Sequence, residues 1–235
     1  MLFMTKNRLA LLALVAALSM AASSCGGGSD DEGGSEEGGE TGSSTATKGN
    51  FTADKLPTLG VQLSDLPSGY APKSGFPKQL SSVSECVKAL APGLDSAVPQ
   101  LQALGLEGCY SSVFTKEKGN DSNTPGSGAY LFRDTEGATK ALPILRSVGV
   151  QSLKPSGQAR LESSRDVPVT GLGEQAEPGV TTTLAVGATR KFAITLYFWR
   201  NRNVIFYSGG GNTLGDLNEG AYLDISKKVA GRAGA

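Results

Sequence analysis

Apolar residues recur at helical spacing in two adjacent segments near the middle of the chain. The first segment, 80–91, and the second, 94–104, each place four apolar side chains on one helical face. Pro92-Gly93 separates them, which predicts a pair of helices broken at the proline. Pro99 is expected to kink or shorten the second helix, since proline lacks the N–H that a helix interior needs.

Two further helices are predicted from capping residues followed by apolar positions. Asp134 can cap a helix that runs through Val148, with Pro143 disturbing its middle. At the end of the chain, Asp216 and Glu219 resemble a capping box, and apolar residues follow at every fourth position. We therefore expect the chain to end in a helix.

The remaining apolar runs have strand character. Segments 109–115 and 129–133 predict a hairpin joined by a long, polar, turn-rich loop over 116–128. The later strands are predicted at 158–165, 180–186, 190–199 and 204–208, with turns at Gly187-Ala188 and 200–203. The pattern indicates one α+β domain, in which a mainly antiparallel sheet of five to six strands packs against helices.

The hairpin over 190–208 is apolar on both faces. A short turn pairs Trp199 with Val204 and Tyr197 with Phe206 across the two strands, and the intervening residues on the opposite face are also apolar. An antiparallel sheet with only one packed face should alternate apolar and polar residues. A second cover is therefore expected.

Three kinds of cover are open: another layer of the same domain, a partner protein, or an apolar or amphipathic ligand. In the ligand or partner alternative, Tyr197, Trp199 and Phe206 form the binding surface. Arg200 and Arg202 would lie at its rim, where they can meet an anionic head group.

The N-terminus has the features of an export signal. Lys6 and Arg8 precede an apolar stretch, 9–20, that is too short to span a bilayer, and small residues follow it up to Cys25. We expect residues 1–24 to be removed and Cys25 to be acylated as the new first residue, which anchors the protein in the lipid bilayer on its extracytoplasmic side. Plain secretory cleavage nearby is the alternative.

Residues 25–48 are predicted to be a disordered tether. They are rich in glycine and serine, carry six acidic side chains, and contain no aromatic or large aliphatic residue, so they cannot form a core. A flexible coil of this length has a root-mean-square reach of about 26 Å. The acidic residues lack the loop spacing of a calcium site, so a solvating linker is favoured. The extracytoplasmic domain is then 49–235.

Composition removes several classes of function. The chain has no histidine and no formal net charge, and the domain itself has 19 basic and 16 acidic residues without an obvious stripe. Histidine-dependent nucleophiles and metal sites are therefore excluded, and no nucleic-acid partner, cofactor or metal is expected. If the protein is a hydrolase, the remaining candidate for its catalytic groups is a pair of carboxylates from among Glu162, Asp166, Glu174 and Glu177.

Cys86 and Cys109 are expected to form a disulfide, because they are the remaining pair in an exported chain. Closing a loop of about 24 residues contributes roughly 3 kcal/mol in the chain-entropy model. Two inert buried thiols and a redox pair are the alternatives, and the spacing is far from Cys-x-x-Cys.

The glycine-rich run 208–215 lies between a predicted strand and the last helix, where phosphate-binding loops occur. It lacks the Gly-Lys-Ser/Thr ending and the βαβ context of such loops. A flexible connection into the helix is expected instead.

Four stretches together resemble a known group of proteins. Residues 22–31, ASSCGGGSDD, look like the start of lipoproteins from high-GC Gram-positive bacteria. Within the domain, 63–70 (LSDLPSGY), 170–176 (TGLGEQA) and 197–205 (YFWRNRNVI) resemble uncharacterised lipoprotein domains related to the extracytoplasmic sensor-like modules of actinobacterial receptor kinases. The resemblance implies an α+β fold with a cleft and disulfides, and ligand sensing or binding without catalysis.

The function expected from the sequence is that of a membrane-anchored, non-enzymatic binding or sensor-like domain. A surface module that docks another protein or the cell wall is the alternative, and a carboxylate-based hydrolase is a third class. A closed apolar cleft beside Tyr197 and Trp199 would favour the first, and an open aromatic patch the second.

Overall fold

A computed structural model describes residues 49–119, 121–155, 159–186, 190–213 and 217–234. The predicted signal sequence, Cys25 and the tether lie outside these residues, as do Asp216 and the Gly187-Ala188 turn. Within the described ranges, no helix has the length and apolar character needed to cross a membrane.

The described chain forms eight strands and five α-helices. The strands are β1 (Ala71–Pro72), β2 (Lys78–Leu80), β3 (Leu106–Lys118), β4 (Asp121–Phe132), β5 (Ala159–Val167), β6 (Gln175–Val186), β7 (Arg190–Asn201) and β8 (Val204–Asn212). The helices are α1 (Leu56–Leu59), α2 (Val83–Leu90), α3 (Val98–Ala103), α4 (Thr135–Ser152) and α5 (Glu219–Arg232). Short 3₁₀ turns occupy Ala53–Lys55, Leu63–Asp65 and Asp95–Ala97.

All eight strands belong to one antiparallel sheet in the order β1-β3-β4-β8-β7-β6-β5, with β2 also pairing with β3. The α+β class and the mainly antiparallel sheet are thus confirmed. The predicted five to six strands are too few, because β1 and β2 are short edge strands without a clear alternating pattern.

Both faces of the sheet are covered by the same chain. We call one the α5 face: the N-terminal segment 51–70 and α5 pack on it against Tyr197, Trp199 and Phe206. We call the other the α4 face, on which α2, α3 and α4 pack against Phe198 and Ile205. The double covering explains why the β7–β8 hairpin is apolar on both sides.

The predicted helices are present with shifted ends. Asp134 caps α4 by accepting a hydrogen bond from the N–H of Gly137 at 2.7 Å, as expected. Helix α4 continues through Pro143 to Ser152, past the predicted end. Pro143 is exposed, so the Thr139 carbonyl that loses its helical partner can be solvated. Helix α3 begins just before Pro99, where proline is tolerated.

Two segments predicted as loops are strands. Residues 116–118 belong to β3 and residues 121–128 belong to β4. The β3–β4 pairing skips the residues opposite Thr124 and Pro125, so the missing N–H of Pro125 breaks no ladder bond there. The polar residues of 116–128 had favoured a loop.

Residues 208–212 of the glycine-rich run are also strand, because β8 extends through Asn212 between β4 and β7. Gly209 and Gly210 have φ values of +151° and +159°, and a Cβ at either position would collide with the backbone of Thr195 or Thr124. Glycine is required here by close packing of three strands.

The β7–β8 register differs from the prediction by two residues. Trp199 lies opposite Phe206, and Tyr197 lies opposite Ser208, because the turn contains only Arg202 and Asn203. A shift of two preserves which face each side chain occupies. The prediction of two apolar faces is therefore confirmed although the register is wrong.

Cys86 and Cys109 form the expected disulfide between α2 and β3. Both half-cystines are buried, within the cluster of apolar residues on the α4 face.

Candidate functional site

The aromatic residues proposed from the sequence as a ligand surface lie in the core. Tyr197 and Trp199 are 0% exposed and Phe206 is 1% exposed, and Trp199 stacks on Phe206 with ring centroids 5.5 Å apart. The Tyr197 hydroxyl donates a hydrogen bond to the Glu219 carbonyl at the start of α5. The structure thus shows a second layer of the same domain at the place where a ligand had been considered, and no surface for a ligand is left on these three rings.

Arg200 and Arg202 hold a junction between the two ends of the domain. Arg200 is largely buried and donates to Glu174 at 2.7 Å and to the Arg202 carbonyl at 2.8 Å. Arg202 donates to the carbonyls of Gly49 and Ala233, at 2.7 and 3.3 Å, and covers the ring of Phe51 at 3.9 Å. Their guanidinium groups therefore bind carbonyls and side chains of the protein itself, which argues against the rim position expected for them.

Glu174 completes this junction. Burial raises its pKa, but hydrogen bonds from the Arg202 N–H and the Arg200 guanidinium outweigh burial and hold that pKa below its ordinary value. The carboxylate is therefore ionised at neutral pH and serves as an acceptor for the β7–β8 turn.

The other carboxylates considered for catalysis have separate ionic neighbours. Glu162 is 2.8 Å from Lys191, and Asp166 is 2.5 Å from Arg146. The Glu162 pair joins β5 to β7, and the Asp166 pair joins β5 to α4. These two ion pairs therefore attach the edge strand β5 to neighbouring elements. No described contact brings Glu162, Asp166, Glu174 or Glu177 together.

A cleft lies on the α4 face, outside the sheet, between α4 and the segment that contains the Asp95–Ala97 turn and α3. It is open to solvent, and its volume is about 350 Å³, at the lower end of small-molecule sites. One wall consists of Leu94, Ser96, Ala97 and Gln100, and the other consists of Pro143, Ile144, Ser147, Val148 and Gln151. We call these two sets of residues the α3 wall and the α4 wall.

The walls carry matching polar groups. Ser96 and Gln100 are four residues apart on the α3 wall, and Ser147 and Gln151 are four residues apart on the α4 wall. The Gln151 amide donates to the Ser147 hydroxyl at 3.2 Å. Hydroxyls and amides both donate and accept hydrogen bonds. The lining thus offers two pairs of uncharged groups that can each donate and accept hydrogen bonds.

Apolar side chains form the floor between these pairs. Ala97 and Val148 are buried, and Leu94 and Ile144 are half-buried. None of the described residues that line the cleft is charged. The arrangement suits an uncharged molecule with an apolar body and hydroxyl or amide groups at its edge, and it offers nothing to hold a metal ion or to transfer a proton.

The sequence contained a signal for this cleft that was missed. In α4, Ala138, Ala141, Leu142 and Leu145 form the face that packs on the sheet, whereas Ile144 lies beside that face. A second apolar stripe flanked by Ser147 and Gln151 indicates a neighbour other than the sheet. The same Ser-x-x-x-Gln spacing in 96–100 could have identified the opposite wall.

Comparisons with known proteins bear on the fold of this chain. No protein-family model matches the chain, and no curated protein sequence matches it significantly. The extracellular domain of PknH from Mycobacterium tuberculosis is similar in structure, with a TM-score of 0.52 and 14% sequence identity over 79% of this chain and 98% of that chain. Nearly the whole of the PknH domain therefore shares its architecture with residues in this chain.

Proposed function

We propose that this protein is a lipid-anchored, extracytoplasmic binding domain that takes up an uncharged amphipathic ligand in the cleft between α3 and α4, without catalysing a reaction. The single observation that carries the proposal is the neutral lining of that cleft, with an apolar floor between two Ser–Gln pairs. Such a surface recognises a ligand by shape and neutral hydrogen bonds.

Three further features support the extracytoplasmic part of the proposal. A predicted export signal and Cys25 precede the domain, a predicted tether lies between Cys25 and the domain, and a disulfide joins Cys86 to Cys109. The PknH domain with a similar fold is described as extracellular. A sensor-like role would follow if ligand occupancy of the cleft were read by another protein.

Mass spectrometry of the full chain tests both parts. The protein is produced in a high-GC Gram-positive host, extracted from membranes and measured under native and denaturing conditions. We expect the denatured mass to correspond to a chain that begins at Cys25 and carries acyl groups. We expect the native mass of the wild type to include a further component that is lost on denaturation.

Substitutions in the cleft lining test whether that component binds in the cleft. Gln100→Ala combined with Gln151→Ala should weaken its binding by at least about fivefold, and so lower its occupancy, since losing two hydrogen bonds costs about 1–3 kcal/mol in total. Gln102→Ala is the matched control, because Gln102 is an exposed glutamine of α3 outside the cleft lining. A component retained by the double variant would place the ligand elsewhere. A clean apo mass in every sample would favour a protein-docking role.

A further inference from the structure

We propose that the Cys86–Cys109 disulfide is a positioning element of the cleft: it fixes the α3 wall at its distance from the α4 wall. The role of the cleft as a binding site rests on the function proposed above. The position of the wall is a separate property of the fold and can be measured without any ligand.

The disulfide encloses the whole α3 wall. The two half-cystines are 23 residues apart in sequence, and the loop between them contains Leu94, Ser96, Ala97 and Gln100. The α4 wall lies outside that loop, as do the central strands. The covalent bond therefore restricts one side of the cleft and leaves the other to ordinary packing.

The packing of α3 shows why this restriction matters. Helix α3 has only six residues, too few to be stable alone, and it packs mainly on α2 and β3. Cys86 lies in α2 and Cys109 lies in β3, so the disulfide joins the two elements that support α3. Contacts between α3 and α4 are sparse by comparison, which is the structural origin of the cleft.

The opposite wall has its own support. Helix α4 has 18 residues, is capped by Asp134, and contacts β4, β6, β7 and β8. It also contacts α2, which carries Cys86, but it packs mainly on the sheet, so its position depends chiefly on the sheet. Breaking the disulfide should therefore move or loosen the α3 wall while α4 and the sheet stay in place.

Burial of the disulfide makes this role permanent. Cys86 is 0% exposed and Cys109 is 1% exposed, so neither sulfur is accessible to an external thiol in the folded protein. The bond is thus formed during oxidative folding and then sets the width of the cleft.

Hydrogen exchange on the full-length protein tests the proposal. We compare the wild type with Cys86→Ala/Cys109→Val, which fills the buried space with apolar groups, and with Cys86→Ser/Cys109→Ser. Amides in α3 should exchange at least about tenfold faster in both variants, since local opening is no longer restrained, whereas amides in α4, β7 and β8 keep their protection. Val229→Ala is the control, because it removes buried methyl groups from the α5 face.

The outcomes separate a positioning role from general stabilisation. Unchanged α3 exchange in the apolar double variant, or an equal acceleration throughout the domain as in Val229→Ala, would overturn the proposal. If the wild type carries the bound component, its occupancy should fall in the apolar double variant in parallel with α3 protection. Full retention despite a loosened α3 would also overturn it. Absence of any bound component contradicts only the proposed function, because the exchange result stands independently.

Discussion

The two faces of the sheet use the same hairpin and are covered in different ways. On the α5 face, a 14-residue helix and the N-terminal segment form a continuous layer over Tyr197, Trp199 and Phe206. On the α4 face, the cover consists of one long helix and a pair of short ones that are joined to the sheet through a disulfide. The cleft between α3 and α4 lies on the second face.

The difference shows that aromatic content does not mark the surface with binding potential. The rings of the aromatic-rich face are buried within the domain, and its Asn201 amide donates to the Ala233 carbonyl just after α5. The cleft on the α4 face is formed by uncharged side chains in the space between α4 and the segment that contains α3. A gap between two helices is a feature of tertiary packing, so composition alone does not reveal it.

The largest effect is expected from Trp199→Ala, which tests whether the α5 face is a packed core. The side chain is fully buried and stacked on Phe206, so its removal should lower the free energy of unfolding by about 3–5 kcal/mol. Denaturant unfolding measures the change. Occupancy of the cleft on the opposite face should not respond beyond the general loss of folded protein.

Trp199→Phe provides a milder version of the same experiment. It keeps an aromatic ring over Phe206 and should cost less than the alanine variant, so it remains measurable if Trp199→Ala does not fold. A loss below about 1 kcal/mol in Trp199→Ala would contradict a closed α5 face, because a buried aromatic cannot be truncated so cheaply.

Sequence patterns were sufficient for the parts of the fold that rest on local rules. Asp134 as a helix cap, the two apolar faces of the β7–β8 hairpin and the disulfide between Cys86 and Cys109 all follow from spacing, alternation or cysteine number. Each depends on neighbouring residues or on the oxidising compartment expected for an exported chain. Each can therefore be predicted without knowledge of the tertiary structure.

Patterns failed where long-range packing decides the outcome. Gly209 and Gly210 look like a loop in isolation, but two neighbouring strands approach so closely that only glycine fits. Arg200 and Arg202 look like a cationic rim, whereas in the fold they bind Glu174 and backbone carbonyls at both ends of the domain. The cleft likewise depends on how far α3 stands from α4. Each of these features requires knowledge of what a distant segment does.

One helical glycine on each face of the sheet allows a smaller effect to be compared. Gly149 of α4 is buried against Phe198, and a Cβ there would overlap the ring. Gly231 of α5 is exposed, with nothing within 4 Å of the added atom. Gly149→Ala should lower the free energy of unfolding by about 1–2 kcal/mol through overpacking, whereas Gly231→Ala should raise it by about 0.5 kcal/mol through helix propensity.

Thermal and denaturant unfolding of both variants gives the comparison directly. Equal stabilisation by the two alanines would show that α4 can move away from Phe198 at no cost, and hence that the α4 wall is not rigidly placed. Opposite signs would support a fixed α4 wall against which the α3 wall is set.

The smallest expected effect comes from an ion pair at the edge of the α5 face, and it depends on pH. Arg232 of α5 donates two hydrogen bonds to Asp65, at 2.9 and 2.8 Å, and the Gln62 N–H donates a third at 2.8 Å. Burial raises the pKa of Asp65, but these bonds outweigh burial and hold the pKa below its ordinary value of 3.8. The folded state therefore binds the proton less readily than the unfolded chain does.

The sign of the pH dependence follows from that difference. The stabilisation by Asp65 is fully present above its unfolded pKa of about 4 and disappears as the pH falls through the lower folded pKa. Asp65→Asn should thus lower the free energy of unfolding by about 1 kcal/mol at pH 7 and by less at pH 3, below the unfolded pKa. Glu136→Gln on α4 is the control, because its pair with Lys140 is exposed and should contribute little at either pH. A loss in Asp65→Asn that is equal at both pH values would mean that the ion pair does not hold α5 to the N-terminal segment, and closure of the α5 face would then depend on apolar packing alone.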